Sequence, residues 1–225
     1  MARRYKERRK TRFRRRVKLY MRLGVFLLVS LLVVLMGMKI FGIGPFGEYT
    51  EQADTQMRVA KPRIDMRLLT MNPYSRPGTQ SDKINNIVIH YTANPGTSAE
   101  QNRNYFENLK DVKKTKASSH FIVGIEGEII QCVPTWETAY ASNNRNHDTV
   151  SIETCHLQSD GKYTEETYQS LVQLTAWLCE KFDLTEEDII RHYDITGKIC
   201  PKYFVEDEGA WKQFKLDVRK VLEES

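Results

Sequence analysis

Between Arg191 and Lys202 the chain places His192, Lys198 and Cys200 directly behind the apolar pair Ile189-Ile190. An imidazole, an ammonium and a thiol so close together make up half of a catalytic zinc site. Hydrolytic zinc takes three protein donors from His, Cys and carboxylate and keeps a fourth position open for water. Gly197 lets the segment turn back on itself, and Cys200 would become a thiolate once a metal displaced its proton. Two parts are missing from this stretch: a distant second histidine and a general base. A His-x7-Cys spacing arises easily by chance, so the rest of the chain must supply them.

His90 and Glu153 are the candidates. His90 closes the run Ile87-Val88-Ile89, which reads as a buried strand because the turn-forming Thr92-Ala93-Asn94-Pro95-Gly96 follows it. Residues 149–154 alternate as a half-buried strand does, so Ser151, Glu153 and Cys155 share one face. Open α/β sheets bind ligands at the carboxyl ends of their strands, where both His90 and His192 fall.

The remaining elements must position these groups. Ser98 caps a predicted helix over 98–109, with Asn102, Tyr105, Phe106 and Leu109 at helical spacing. Residues 120–123 and 128–133 flank a Glu126-Gly127 turn and predict a hairpin. Thr164 caps a long helix to about Phe182, its buried stripe formed by Tyr168, Leu171, Val172, Thr175 and Leu178. A strand over 188–191 precedes the opening motif. A last helix runs from Glu208 to about Leu222, with Trp211, Phe214, Val218 and Val221 inward. Strands interleaved with helices predict an α/β domain with a central mixed sheet flanked by helices.

Four segments together carry a family signature: Ile87-Val88-Ile89-His90-Tyr91-Thr92-Ala93, Ser118-Ser119-His120-Phe121-Ile122-Val123, Ser151-Ile152-Glu153, and Arg191-His192-Tyr193-Asp194 through Lys198 to Cys200-Pro201. Their order resembles the zinc-dependent N-acetylmuramoyl-L-alanine amidases, which share a fold with peptidoglycan recognition proteins and phage lysozyme-type amidases. The resemblance covers roughly residues 68–220.

It implies one Zn2+ on His90, His192 and Cys200, Glu153 as general base and Lys198 as the group that stabilises the transition state. The reaction implied is hydrolysis, by zinc-activated water, of the amide between N-acetylmuramic acid and L-alanine in peptidoglycan. Ser119, His120, Thr92 and Asn94 are candidate substrate contacts; His120 is equally well read as a structural residue. The chain departs from the phage-type pattern at Ser119, where a tyrosine is usual, which throws more weight on Glu153.

Other readings compete. Cys200 as a nucleophile with His192 as its base would leave His90 without a purpose. A non-catalytic peptidoglycan-binding module of the same fold is the principal alternative, although loss of the cysteine ligand is its usual mark and Cys200 is present. Tyr193 and Asp194 are candidates to orient His192. His147 and His156 read as surface histidines. With Cys200 on zinc, Cys132, Cys155 and Cys179 remain; buried free thiols are the plainer reading, and a Cys132–Cys155 bridge is the other.

The charge distribution adds an address. Residues 1–22 carry twelve Lys or Arg against Glu7, a local charge of +11, while the whole chain is only +5. From Leu23 to Met38 every residue is apolar or glycine except Ser30, and the apolar character resumes after Lys39 to residue 43. That approaches the roughly 20 residues a helix needs to cross a bilayer. No small-residue cleavage site follows Met38, so an uncleaved signal anchor is expected rather than a removed leader.

The positive-inside rule then puts the N-terminus in the cytoplasm of a bacterium and the catalytic domain on the outer face of its membrane, spanned once. The expected organisation is a basic tail over 1–22, a transmembrane anchor over 23–43 in contact with the lipid bilayer, a stalk and domain flank over 44–83 and the catalytic domain over 84–225. In the flank, Leu68, Leu69 and Tyr74 are placed against the domain. The arginine-rich tail is explained by topology, so no nucleic-acid partner is expected.

Overall fold

The computed structural model describes residues 57–225. The basic tail and the apolar segment over 23–43 lie outside these residues; among the described ones, no helix is long and apolar enough to cross a membrane. In chain order the strands are β1 (Ile64–Met66), β2 (Asn86–Tyr91), β3 (Phe121–Val123), β4 (Ile129–Gln131), β5 (Thr149–Thr154) and β6 (Ile189–Arg191). The helices are α1 (Ala99–Val112), α2 (Glu165–Phe182), α3 (His192–Thr196), α4 (Lys202–Glu206) and α5 (Glu208–Glu224).

The strands form one mixed sheet in the order β1-β4-β3-β5-β2-β6. Strands β3, β5, β2 and β6 are mutually parallel, while β4 turns back antiparallel to β3 through the predicted hairpin and β1 follows β4 in parallel. At the hairpin Gly127 has φ +81°, and a Cβ there would lie 2.8 Å from the Glu166 carbonyl oxygen, so glycine is required by conformation and by space.

Strand alternation divides the core in two. Ile87, Ile89, Phe121, Val123, Val150 and Ile152 project to one face and pack with α2 and α5 through Leu171, Leu174, Leu178, Trp211, Phe214 and Val218. Ile122, Ile130, Cys132 and Cys155 project to the other and pack with Ala99, Phe106 and Leu109 of α1. On this second face lie His90 and Glu153.

The predicted caps form. Ser98 accepts from the Gln101 amide while the Gln101 side chain accepts from the Ser98 amide, a reciprocal capping box. Thr164 Oγ1 accepts from the Thr167 amide at 3.1 Å and starts α2. Tyr105, expected on the buried side of α1, is 53% exposed. Tyr168 is half-buried rather than in the core, because its hydroxyl donates to Asp217 at 2.6 Å.

The folded unit takes in residues from 57 on, where a start at 84 was expected. Strand β1 belongs to the sheet, Leu69 and Val59 are buried in the two cores, and the Arg58 and Val59 amides donate to the Glu180 carboxylate at 2.9 and 2.7 Å. Residues 57–83 are therefore held on the domain, as anticipated only for Leu68, Leu69 and Tyr74. All four cysteines are buried free thiols, so Cys132 and Cys155 are not bridged.

Candidate metal centre

Strand β2 lies between β5 and β6, and it delivers His90 to the carboxyl edge of the sheet. In the parallel ladder His90 is paired with Glu153 of β5, so the two side chains stand next to each other on one face. Strand β6 ends one residue before His192. There the chain enters the short helix α3 instead of the anticipated loop, because the Asp194 carboxylate accepts from the Arg191 amide at 2.8 Å and caps the turn.

Gly197, at φ +75°, ends α3 and sends the chain back. The Tyr193 amide then donates to the Cys200 carbonyl at 2.8 Å, which closes the excursion and brings the thiol beside His192. Arg191 braces the turn from behind: it pairs with Asp194 and Glu208, donates to the Phe204 carbonyl and lies over the Tyr193 and Trp211 rings.

These local structures bring together donor atoms of His90, His192 and Cys200, all within 4.8 Å of one another and all buried. Cys200 Sγ is 3.9 Å from His90 Nδ1, and the two imidazole centroids are 4.6 Å apart. Tetrahedral zinc, with Zn–N of about 2.0–2.1 Å and Zn–S of about 2.3 Å, spaces its donors roughly 3.3–3.6 Å apart. The trio would have to draw together, by up to about 1.5 Å for donors 4.8 Å apart, to meet that geometry.

Hydrogen bonding separates the two candidate ligand histidines from the third histidine nearby. His90 Nδ1 faces only the Cys200 sulfur, and its Nε2 is buried with no hydrogen-bond partner. His192 Nε2 is 3.0 Å from Asn143 Oδ1, which leaves Nδ1 available. His120 has both nitrogens engaged, Nδ1 with Ser151 and Nε2 with the Glu137 carbonyl at 2.9 Å. A ring tied at both ends, and 1% exposed, is a structural residue.

The electrostatics suit a cation. Burial, then the neighbouring His192 and Lys198, hold His90 well below its usual value, and burial and Lys198 lower His192. Both rings are therefore neutral and offer lone pairs. Burial pushes the Cys200 thiol up to about 12, helped by Glu153. Without a metal this thiol stays protonated at neutral pH, which argues against its acting as a free nucleophile. Burial likewise pushes Glu153 up to about 8, with Lys198 opposing, and Glu153 Oε2 is sealed from solvent without a hydrogen-bond partner. Lys198 is exposed on the return segment, and its charge acts on His90, His192, Glu153 and Cys200 alike.

The four anticipated substrate contacts divide. Ser119 is fully buried and its hydroxyl is spent on the Phe121 and Ser151 carbonyls at 2.8 and 3.0 Å, so neither it nor His120 presents a polar group to the surface. Thr92 continues from β2, with its Oγ1 buried and unpartnered. Asn94 is exposed in the following turn, where its carbonyl accepts from Thr97.

His147 is exposed as expected, but His156 is 1% exposed, its ring stacked on Tyr91 and Nδ1 at 2.7 Å from the Gln158 carbonyl. Neither Tyr193 nor Asp194 touches the His192 ring nitrogens. Asn143 does, across 49 residues of sequence, and the sequence carries no signal of that contact.

Fold and site define an α/β domain with three side-chain donors, suited to a metal ion, gathered at the carboxyl edge of its sheet. The chain belongs to the N-acetylmuramoyl-L-alanine amidase family, whose pattern matches residues 80–203. It is 34% identical over 173 residues to the N-acetylmuramoyl-L-alanine amidase CwlL of Bacillus licheniformis, covering 71% of this chain and 48% of that protein. A probable N-acetylmuramoyl-L-alanine amidase of the same organism is 35% identical over 172 residues, with the same coverage. The chain thus spans about half the length of the curated relatives it matches. A solved mutant endolysin from Bacillus subtilis has the same fold, with a TM-score of 0.60 at 24% identity over 70% of this chain and 99% of that one.

Proposed function

We propose that the protein is a peptidoglycan amidase that hydrolyses the bond between the lactyl carbonyl of N-acetylmuramic acid and the nitrogen of L-alanine. The observation that carries this reading is the convergence of His90, His192 and Cys200 on one pocket, with the Glu153 carboxyl on the strand residue paired with His90. One Zn2+ fits these donors, and when bound it supplies a Lewis acid that polarises the amide carbonyl and acidifies water.

The chain's own groups do the rest. Glu153 takes a proton from the attacking water and passes it to the leaving nitrogen as the C–N bond breaks. A cation held by His90, His192 and Cys200 would favour the carboxylate form of Glu153, against the burial that pushes it up to about 8. Lys198, exposed at the rim, stabilises the negative charge that develops on the carbonyl oxygen. The products are a glycan carrying a free lactyl carboxylate and a peptide with a new alanine amino terminus.

The sequence over 1–43 supports an address for this chemistry: a single-pass anchor in a bacterial cytoplasmic membrane, basic end inside and catalytic domain outside. Protease added to intact protoplasts should remove the domain but spare the tail. Activity is tested by incubating the purified full-length protein with peptidoglycan and labelling new amino termini. Release of alanine-terminated peptides that stops on chelation and returns with zinc is expected. Release that survives chelation would overturn the zinc mechanism, and metal retention without release would make the domain a binding module.

A further inference from the structure

A neutral imidazole carries one N–H, and it can serve as a ligand only through the other nitrogen. Something must therefore choose the tautomer of His192. The groups adjacent in sequence do not: Asp194 is occupied by the Arg191 amide and guanidinium, and Tyr193 is exposed with the same guanidinium over its ring. The atom that meets the ring is Asn143 Oδ1, 3.0 Å from Nε2.

The loop bearing Asn143 is built to hold that atom in place. Asn143 has φ +53°, a left-handed conformation that asparagine tolerates better than most residues. Asn146 Oδ1 accepts from the Ala141 and Ser142 amides at 3.0 and 2.6 Å and closes the turn around it. Arg145 pairs with Asp148 and donates to Asn86 Oδ1 at 2.6 Å. Asn86 Nδ2 in turn donates to the Asp188 carbonyl at 2.9 Å, immediately ahead of β6, the strand that leads into His192. The loop and the ligand strand are thus tied to the same residue of β2.

We propose that Asn143 is the positioning residue of the metal centre: its amide oxygen accepts the Nε2 proton of His192 and so leaves Nδ1 as the donor atom. The inference rests on the zinc reading above. Because the partner is a neutral amide, it fixes the ring without adding charge to a pocket that already holds Glu153 and a thiolate-forming cysteine.

The test is zinc affinity, measured on full-length protein by competition with a chromophoric chelator, for wild type, His192→Ala, Asn143→Gly and Asn143→Asp. Glycine keeps the left-handed backbone and removes the acceptor, whereas aspartate keeps both. Asn143→Gly should weaken zinc binding by about 10- to 100-fold, the usual cost of losing a ligand's hydrogen-bond partner. The thermal unfolding of its metal-free form should be unchanged. Asn143→Asp should bind at least as tightly as wild type.

Wild-type affinity in Asn143→Gly, or equal weakening in both variants, would overturn the inference while leaving zinc binding intact. Absence of zinc from the wild type would instead remove the zinc reading, and this inference with it.

Discussion

Replacing Glu153 by glutamine should slow the proposed hydrolysis and stabilise the metal-free protein, in a way that depends on pH. The substitution keeps shape and volume but removes the titrating proton. In the folded protein burial raises this carboxyl from 4.5 to about 8. Below pH 4.5 folded and unfolded chains both hold the proton, and Glu153 costs nothing. Between pH 4.5 and 8 the unfolded chain has released the proton and the folded one has not, so stability falls as pH rises.

At about 1.4 kcal/mol for each pH interval of one, the loss reaches about 3 kcal/mol at pH 7 and levels off near 5 kcal/mol above pH 8. Urea unfolding of chelator-treated protein at pH 4.5, 7 and 8.5 provides the assay. The glutamine variant should match the wild type at the lowest pH and exceed it increasingly at the others. With zinc restored, its turnover should fall by about 10²- to 10⁴-fold, as expected for loss of a general base. Parallel pH profiles for the two proteins, or wild-type turnover in the variant, would refute the assignment of a buried carboxyl to the base.

Lys198→Met should lower kcat by about 10²- to 10³-fold, as loss of an oxyanion donor does, with zinc content by elemental analysis unchanged. Phe204→Ala should cost about 3–5 kcal/mol in urea unfolding, because this fully buried ring packs against Tyr163, Trp211 and Phe214 at centroid distances of 5.1, 5.3 and 5.0 Å. Burial alone would raise Asp148, but the Arg145 and Asn85 hydrogen bonds outweigh it and hold the carboxyl below its usual 3.8. The stability this lends is present above that value and lost as pH falls through the lower folded one. Asp148→Asn should therefore flatten the acid limb of the stability curve below about pH 4.

Much of this architecture was legible because its causes are local. Ser98 and Thr164 are capping residues in front of amphipathic runs, and the alternation in 149–154 put Glu153 on the correct face without any knowledge of its neighbours. What was not legible depends on distant partners. Ile64-Asp65-Met66 carries almost no strand signal and becomes β1 only because β4 offers it a free edge. His156 reads as a surface residue until Tyr91 stacks on it and buries it. Asn143 lies in a polar loop whose sequence says nothing of His192, and the helical turn at 192–196 depends on Asp194 capping a strand end. Ser119 and His120 lie in a family motif that makes both candidate substrate contacts, with a structural role equally open for His120. Their hydrogen bonds to Phe121, Ser151 and Glu137 turn them inward.

The pairing of His90 with Glu153 across β2 and β5 also bears on which sequence changes such a domain can accept. Side chains alternate with a period of two, so deleting or inserting one residue within either strand would carry the base or the ligand to the opposite face, into the core packed by α2 and α5. Point substitutions along these strands cost packing energy, whereas a frame change of one residue abolishes the site. The connections at 92–98 and 155–164 lie outside that ladder and can change length without altering the pairing. For laboratory recombination of amidase segments, the admissible crossover points therefore lie in those connections, with β2 and β5 transferred as fixed-length blocks.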